Sequence, residues 1–169
     1  MHPLARFVVD VPDFPKPGIL FRDITPLLRS HFSETIEALD GLFRPLEWAA
    51  ADAVAGVESR GFILAAALAE RCGKGFVPIR KKGKLPPPVV ERNYSLEYGS
   101  GVLEMQRGKG RLILIDDVLA TGGTLAGAAE LATEAGFEVA HAGVLIDLGI
   151  AKDFRCRGAA PRAVIRYGE

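Results

Sequence analysis

Leu112-Ile113-Leu114-Ile115-Asp116-Asp117-Val118-Leu119-Ala120-Thr121-Gly122-Gly123-Thr124 decides the fold of this chain. Its first four residues are apolar and read as a strand buried on both faces. That strand ends abruptly in two adjacent carboxylates, followed by a short loop of small and hydroxyl residues. The loop runs into Leu125-Ala126-Gly127-Ala128-Ala129-Glu130-Leu131-Ala132, which is helical in composition. Strand, acids, Gly-rich turn and helix in that order build a polar site at the carboxyl edge of an α/β sheet. Thr121 to Thr124 can present backbone N–H groups and two hydroxyls at the positive end of a helix, where a phosphate dianion fits. Asp116 and Asp117 would repel a phosphate. They suit hydrogen-bond donors, such as the vicinal hydroxyls of a ribose, or a metal ion. The segment therefore asks for a ribose 5-phosphate. A plain αβ turn with solvated acids is the bland alternative, and the order of two acids and Thr-Gly-Gly-Thr after such a strand argues against it. No Lys follows the glycines, so the loop is not of the Walker type.

The chain has 169 residues, enough for one domain with a proper core. Lys+Arg and Asp+Glu both total 21, a formal net charge of zero. That balance argues against a nucleic-acid or membrane-surface binder, which needs a basic excess. Cys72 and Cys156 are isolated and lack metal spacing; they read as free thiols in a reducing compartment. Met1 to Arg6 lacks the apolar core of a signal peptide, and no apolar run is long enough to span a bilayer. A soluble cytoplasmic protein is expected.

Working outward, residues 1–30 are rich in proline and aromatics (Pro12, Phe14, Pro15, Pro17, Phe21, Pro26) and read as an ordered, irregular arm folded as a small hood over the sheet edge. Phe32, Ile36, Leu39, Leu42, Phe43 and Leu46 fall at helical spacing and predict one amphipathic helix. Ala53–Val57 predicts a buried strand, Phe62 to about Arg71 a helix, and Phe76–Ile79 another strand. Residues 80–105 break that rhythm with a basic run, three prolines and a hairpin turning at Gly99-Ser100-Gly101. Glu138–Ile146 and Ala163–Tyr167 predict the last strands. Strands alternating with helices indicate an α/β fold, a parallel sheet flanked by helices, with the hairpin inserted.

Three further segments carry chemistry. Glu58-Ser59-Arg60-Gly61-Phe62 joins a strand to a helix, again at the carboxyl edge, where Arg60 can fork onto a pyrophosphate; an Arg that only packs its stem is the alternative. Arg80 to Lys84 holds four cations in five residues. A charge run is usually a solvated face, but this one hangs over the site edge as a long loop and suits a mobile cationic lid. Tyr94-Ser95-Leu96-Glu97-Tyr98-Gly99 sets two aromatics around one carboxylate. Glu97 is the candidate general acid/base there, and Tyr98 can cover the reacting centre. Cross-strand packing of the tyrosines is the structural alternative.

The Asp-Asp loop closely resembles the signature of the type I phosphoribosyltransferases. Asp13-Phe14-Pro15-Lys16-Pro17-Gly18-Ile19-Leu20-Phe21-Arg22-Asp23-Ile24-Thr25-Pro26-Leu27-Leu28 is similar to the N-terminal signature of the adenine phosphoribosyltransferases, as are Ser59–Phe62, Arg80–Pro86 and Tyr94–Gly99. The resemblance runs from about residue 13 to about residue 155; Pro87 and Pro88 stand where that family more often has a Gly. It implies the type I phosphoribosyltransferase fold and a homodimeric, Mg²⁺-dependent enzyme that makes AMP and pyrophosphate from adenine and 5-phosphoribosyl 1-pyrophosphate. It also implies roles. Asp116 and Asp117 would hold the ribose hydroxyls, and Ala120, Thr121, Gly122, Gly123 and Thr124 the 5-phosphate. Ser59, Arg60, Arg80 and Lys84 would hold the pyrophosphate. Phe21 would pack on adenine, with Leu20 and Arg22 reading its edge through their backbone, while Glu97 faces N7 and Tyr98 covers the reacting centre. Magnesium would be held mainly through substrate, with no direct protein ligand. A transferase for another purine base, or a non-catalytic sensor of the sugar pyrophosphate, are the rival readings. No helix-turn-helix segment or basic excess supports the sensor.

Overall fold

A proline at the first helical position suits a short helix, and Pro3 opens a 3-10 turn (Pro3–Phe7). The chain then forms an antiparallel hairpin of β1 (Val9–Pro12) and β2 (Leu20–Asp23), followed by α1 (Thr25–Ser30), α2 (Phe32–Asp40) and α3 (Pro45–Ala50). The computed structural model describes residues 2–96 and 99–168. A sheet unit begins at β3 (Ala53–Val57), continues through α4 (Arg60–Arg71) and β4 (Gly75–Lys81), and leads into a hairpin of β5 (Val89–Leu96) and β6 (Gly99–Gln106). It ends with β7 (Gly110–Leu119), α5 (Gly123–Glu134), β8 (Phe137–Asp147) and β9 (Arg162–Arg166). The strand order is β5-β6-β4-β3-β7-β8-β9. The five strands from β4 to β9 in that order are parallel, and the hairpin adds an antiparallel edge.

The central strand shows why the sequence folds this way. Successive side chains of a strand point to opposite faces. Leu112 and Leu114 of β7 join the core shared with Leu125, Ala128 and Leu131 of α5. Ile113 and Ile115 join the opposite core, with Leu64 and Leu68 of α4 and Leu39 of α2. All four β7 residues are fully buried. At ~1.5–3 kcal/mol each for complete burial, they outweigh any surface ion pair at ~0–1 kcal/mol.

Four sequence expectations are corrected. The acid-bearing strand does not stop at Ile115: β7 runs through Asp116 and Asp117 to Leu119, because ladder pairing with β8 continues to Leu119↔Asp147. The single helix over residues 32–46 is two, because α2 closes at Gly41 and Pro45 starts α3; Leu46 is left 83% exposed. The N-terminal arm contains a hairpin and a helix of its own. Finally, Gly99-Ser100-Gly101 is not a turn but the start of β6, paired with Leu96, Ser95 and Tyr94. The prolines end before Val89, so the chain from there joins the sheet edge and shortens the loop to residues 82–88.

The hairpin is fastened to α5. Tyr94 is buried with its ring over Gly101, and a Cβ on Gly127 of α5 would lie 2.5 Å from the Tyr94 Cβ. Arg92 pairs with both Glu130 and Glu134. The packing alternative thus describes Tyr94. Glu97 and Tyr98 lie outside the described residues.

A charge cluster around the buried Glu47 ties α3 to β9. Arg162 donates to both Glu47 oxygens at 2.7 Å, and Arg44 donates its backbone N–H to the same carboxylate at 2.7 Å. The Arg162 guanidinium first, then the Arg44 amide, hold the Glu47 carboxyl far below the usual range although burial opposes them. A carboxyl acidified by folding stabilises the fold above its unfolded pKa, and this stability fades as pH falls below the usual glutamate range. Glu47→Ala should cost about 2–3 kcal/mol at pH 7, less than a fully buried pair because Arg162 keeps some exposure. Urea denaturation at pH 7 and pH 3 checks this: the gap between wild type and variant should narrow in acid.

Candidate functional site

The carboxyl ends of β3 and β7 bring Arg60 and the loop Ala120–Thr124 to one cleft. The loop after β7 turns at Gly122, whose φ of +90° lies in the left-handed region that glycine adopts without penalty. A side chain there would also strike the Phe154 ring, 2.6 Å from the Cβ position. Gly123, the first residue of α5, must be bare for a different reason: a Cβ would lie 2.1 Å from the carbonyl oxygen of Ser95 on β5. The loop is therefore pressed between the hairpin and the segment carrying Phe154, with the N-terminal N–H groups of α5 at its mouth. These N–H groups have no partner inside the helix, and no side chain caps them at Gly122.

A cavity of about 560 Å³ opens over this loop. Ala120, Thr121, Gly122, Gly123 and Thr124 all line it, together with Arg60, Lys81, Ser95 and, from the N-terminal arm, Pro15 and Ile19. A second cavity of about 310 Å³ adjoins it through Leu119 and is bounded by Asp147, Phe154, Arg166 and Tyr167.

Asp116 and Asp117 are both nearly buried. Asp116 accepts the Asp117 amide at 2.9 Å, and a Cβ on Gly61 of α4 would come within 2.9 Å of its Oδ1. Burial, then the neighbouring Asp117 charge, pushes the Asp116 carboxyl well above the ordinary value. Asp117 accepts instead from Arg60 Nε. The Arg60 guanidinium in turn stands 5.0 Å from the centre of the Phe21 ring on β2, a cation–π contact. One arginine thus links the sheet edge to the N-terminal hairpin.

The predicted base-reading residues sit on β2, which has a strand partner on one side only. Leu20 is half exposed, and Phe21 meets Phe14 edge to face at 5.1 Å. The Arg22 side chain is engaged elsewhere: it pairs with Asp10 and lies over the Tyr167 ring at 4.1 Å, docking the hairpin onto the end of β9.

Arg80 and Lys84 are turned onto Glu58, and neither lines the large cavity. Glu58 also accepts the Lys81 amide at 3.0 Å. A second carboxylate fixes the loop itself: Glu104 of β6, 2% exposed, accepts backbone N–H groups from Gly83, Lys84 and Leu85 at 3.0, 2.6 and 2.6 Å. Burial raises its pKa, but the three amides outweigh that and hold it below the ordinary value. The sequence reading missed Glu58, Glu104 and Phe154. The signal for Glu104 was a charged residue between Leu103 and Met105 in the strand facing the basic loop.

Cys72 and Cys156 are free thiols pushed up to about 11, both chiefly by burial, so they stay protonated at neutral pH. Among the described residues no helix is long and apolar enough to cross a membrane.

Comparison with known proteins supports one family. Residues 35–157 match the phosphoribosyl transferase domain family. An adenine phosphoribosyltransferase of Hydrogenovibrio crunogenus is 51% identical over 169 residues, covering 99% of this chain and 98% of its own. The crystal structure of the adenine phosphoribosyltransferase from Rhodothermus marinus is 40% identical and superposes with a TM-score of 0.84 over 96% of each chain. That from Thermoanaerobacter pseudethanolicus is 37% identical, with a TM-score of 0.88 over 97% of this chain and 98% of its own.

Gly123→Ala tests the pinched loop. With backbone as the obstacle, overpacking should cost ~1–3 kcal/mol and displace either the loop or the hairpin. Thermal denaturation should show a lowered Tm, and inorganic phosphate should protect the variant less than the wild type.

Proposed function

The chain belongs to the adenine phosphoribosyltransferase family, and we propose that it transfers the 5-phosphoribosyl group of 5-phosphoribosyl 1-pyrophosphate to N9 of adenine, giving AMP and pyrophosphate. The observation that carries this reading is the short step along the chain from Asp116 and Asp117 in β7 to the loop Ala120–Thr124, which lines a cavity of about 560 Å³ together with Arg60, the partner of Asp117. Carboxylates face sugar hydroxyls, and helix N–H groups face the 5-phosphate. Burial and the neighbouring Asp117 charge raise the Asp116 carboxyl above its ordinary value, and the carboxyl oxygens of the pair can accept from the two hydroxyls.

Displacement at the anomeric carbon passes through an oxocarbenium-like transition state. The attacking nucleophile is adenine, so the protein has to orient two substrates and stabilise the departing pyrophosphate. Ser59, Arg60, Arg80 and Lys84 serve the pyrophosphate. Phe21 packs on the base while the open backbone edge of β2 from Leu20 to Arg22 reads it. Glu97 manages the purine proton and Tyr98 covers the reacting centre. A magnesium ion would be held mainly through the substrate, with its shell taken from phosphate oxygens and water and no direct ligand from the protein. Bound with the substrate, it would neutralise charge on the leaving group. In this reading the whole chain is one phosphoribosyltransferase domain, with residues 1–30 as hood and 80–105 as lid and hairpin. It works as a cytoplasmic homodimer with no nucleic-acid or membrane partner.

Turnover of 5-phosphoribosyl 1-pyrophosphate with adenine, hypoxanthine, guanine and uracil tests the proposal. Hypoxanthine reverses adenine's donor and acceptor on the edge that a backbone carbonyl and N–H would read. Leaving those groups unpaired should favour adenine by about 10⁴-fold or more in kcat/KM. Comparable use of hypoxanthine would replace this reading with that of another purine transferase.

A further inference from the structure

Glu58 has no assigned part in this chemistry, yet three groups of the basic loop converge on it. It follows β3 directly, and its backbone N–H continues the ladder to Ile79 at 2.9 Å. The side chain is 7% exposed. One carboxylate oxygen accepts from Lys84 Nζ; the other accepts from Arg80 Nε at 3.2 Å and from the Lys81 amide at 3.0 Å. Burial by itself would raise the carboxyl pKa, but Lys84 and the other donors outweigh it and hold the group ionised. Two residues on, Arg60 rests on Asp117. Each of the three cations assigned to pyrophosphate is therefore held by a carboxylate of the chain itself.

We propose that Glu58 is a positioning residue that occupies the place of pyrophosphate on Arg80 and Lys84 in the free protein and competes with it for them. This rests on the assignment of those two cations to pyrophosphate. A carboxylate offers one negative charge on two oxygens. Pyrophosphate offers more of both, so the exchange runs toward the ligand. Each exchange nevertheless strips a nearly buried carboxylate of two of its partners, and that cost is subtracted from the binding of pyrophosphate. The backbone of the loop need not move, because Glu104 holds Gly83, Lys84 and Leu85 through their amides. Glu104 is thus a fixed anchor and Glu58 an exchangeable one. Tempered affinity is useful for a product that has to leave before the next turnover.

The test is calorimetric titration of the full-length protein with inorganic pyrophosphate, with and without magnesium. Glu58→Gln keeps the size of the side chain and an oxygen for the Lys81 amide but removes the charge. It should bind pyrophosphate about 5- to 20-fold more tightly than the wild type, because a charged competitor has become a neutral one. A residue that merely propped the loop would weaken binding when altered, so the direction of change separates the two roles. Glu58→Asp withdraws the carboxylate by one methylene and should tighten binding to a lesser degree; it decides the matter if the Gln variant does not fold. Unchanged or weaker binding in the folded variants, beside a wild type that binds, would overturn this proposal alone. A wild type that binds no pyrophosphate would overturn the assignment of the cations, and the proposal with it.

Discussion

Two nearly buried carboxylates lie in the strand that leads to the uncapped N-terminus of a helix, and the rest of the cleft is arranged around that juxtaposition of charge. β7 delivers Asp116 and Asp117 nearly buried, one loop away from the uncapped N–H groups of α5, where the proposed function places a phosphate. Unmodified, such a pair would repel the phosphate that the proposed function brings to that loop. Two compensations are visible. Burial and the proximity of its neighbour drive Asp116 toward the neutral form, and Arg60 meets the charge of Asp117. Arg60 then carries the same interaction outward, since Phe21 covers its guanidinium. Charge at the sheet edge is in this way coupled to the hairpin that would meet a base.

Rigidity around the loop comes from close approach. Gly123 lets the Ser95 carbonyl reach the start of α5, Gly127 lets Tyr94 lie on the next turn, and Arg92 closes the contact with Glu130 and Glu134. The hairpin and the Gly-rich turn are therefore both packed directly against α5. On the opposite side, Arg22 holds the N-terminal hairpin to Tyr167 and Asp10. Between these two fastened walls, the basic loop keeps its backbone on Glu104 and its side chains on Glu58. A fixed frame with exchangeable charges suits a reaction whose barrier is lowered by orientation and electrostatics.

The parallel sheet was legible because its strands are apolar on both faces, as Leu112 to Ile115 illustrate, and because the Thr-Gly-Gly-Thr turn admits few other structures. The expected boundary at Asp116 was wrong because hydrogen bonding to β8 continues past the last apolar residue. Apolar spacing joined α2 to α3 because it does not register the break that Pro45 imposes. The hairpin turn was misplaced because glycines were read as turn formers, when Gly101 instead makes room for the Tyr94 ring. Arg60 and Ala120 to Thr124, named from local motifs, line the cavity, whereas the ion pairs and amide contacts of Glu58 and Glu104 were not legible. Their partners are 19 to 26 positions away in sequence, and only the fold brings them together.

The central claim is that the β7 acids hold sugar hydroxyls while the adjoining loop holds the phosphate. Ribose 5-phosphate isolates that claim, since it lacks the pyrophosphate that Arg60 would also contact. Asp117→Asn should weaken its binding by ~1.5–3 kcal/mol, roughly 10- to 100-fold in Kd by calorimetry, the value of a hydrogen bond to a charged acceptor. An unchanged Kd for ribose 5-phosphate in a folded Asp117→Asn protein would contradict the account.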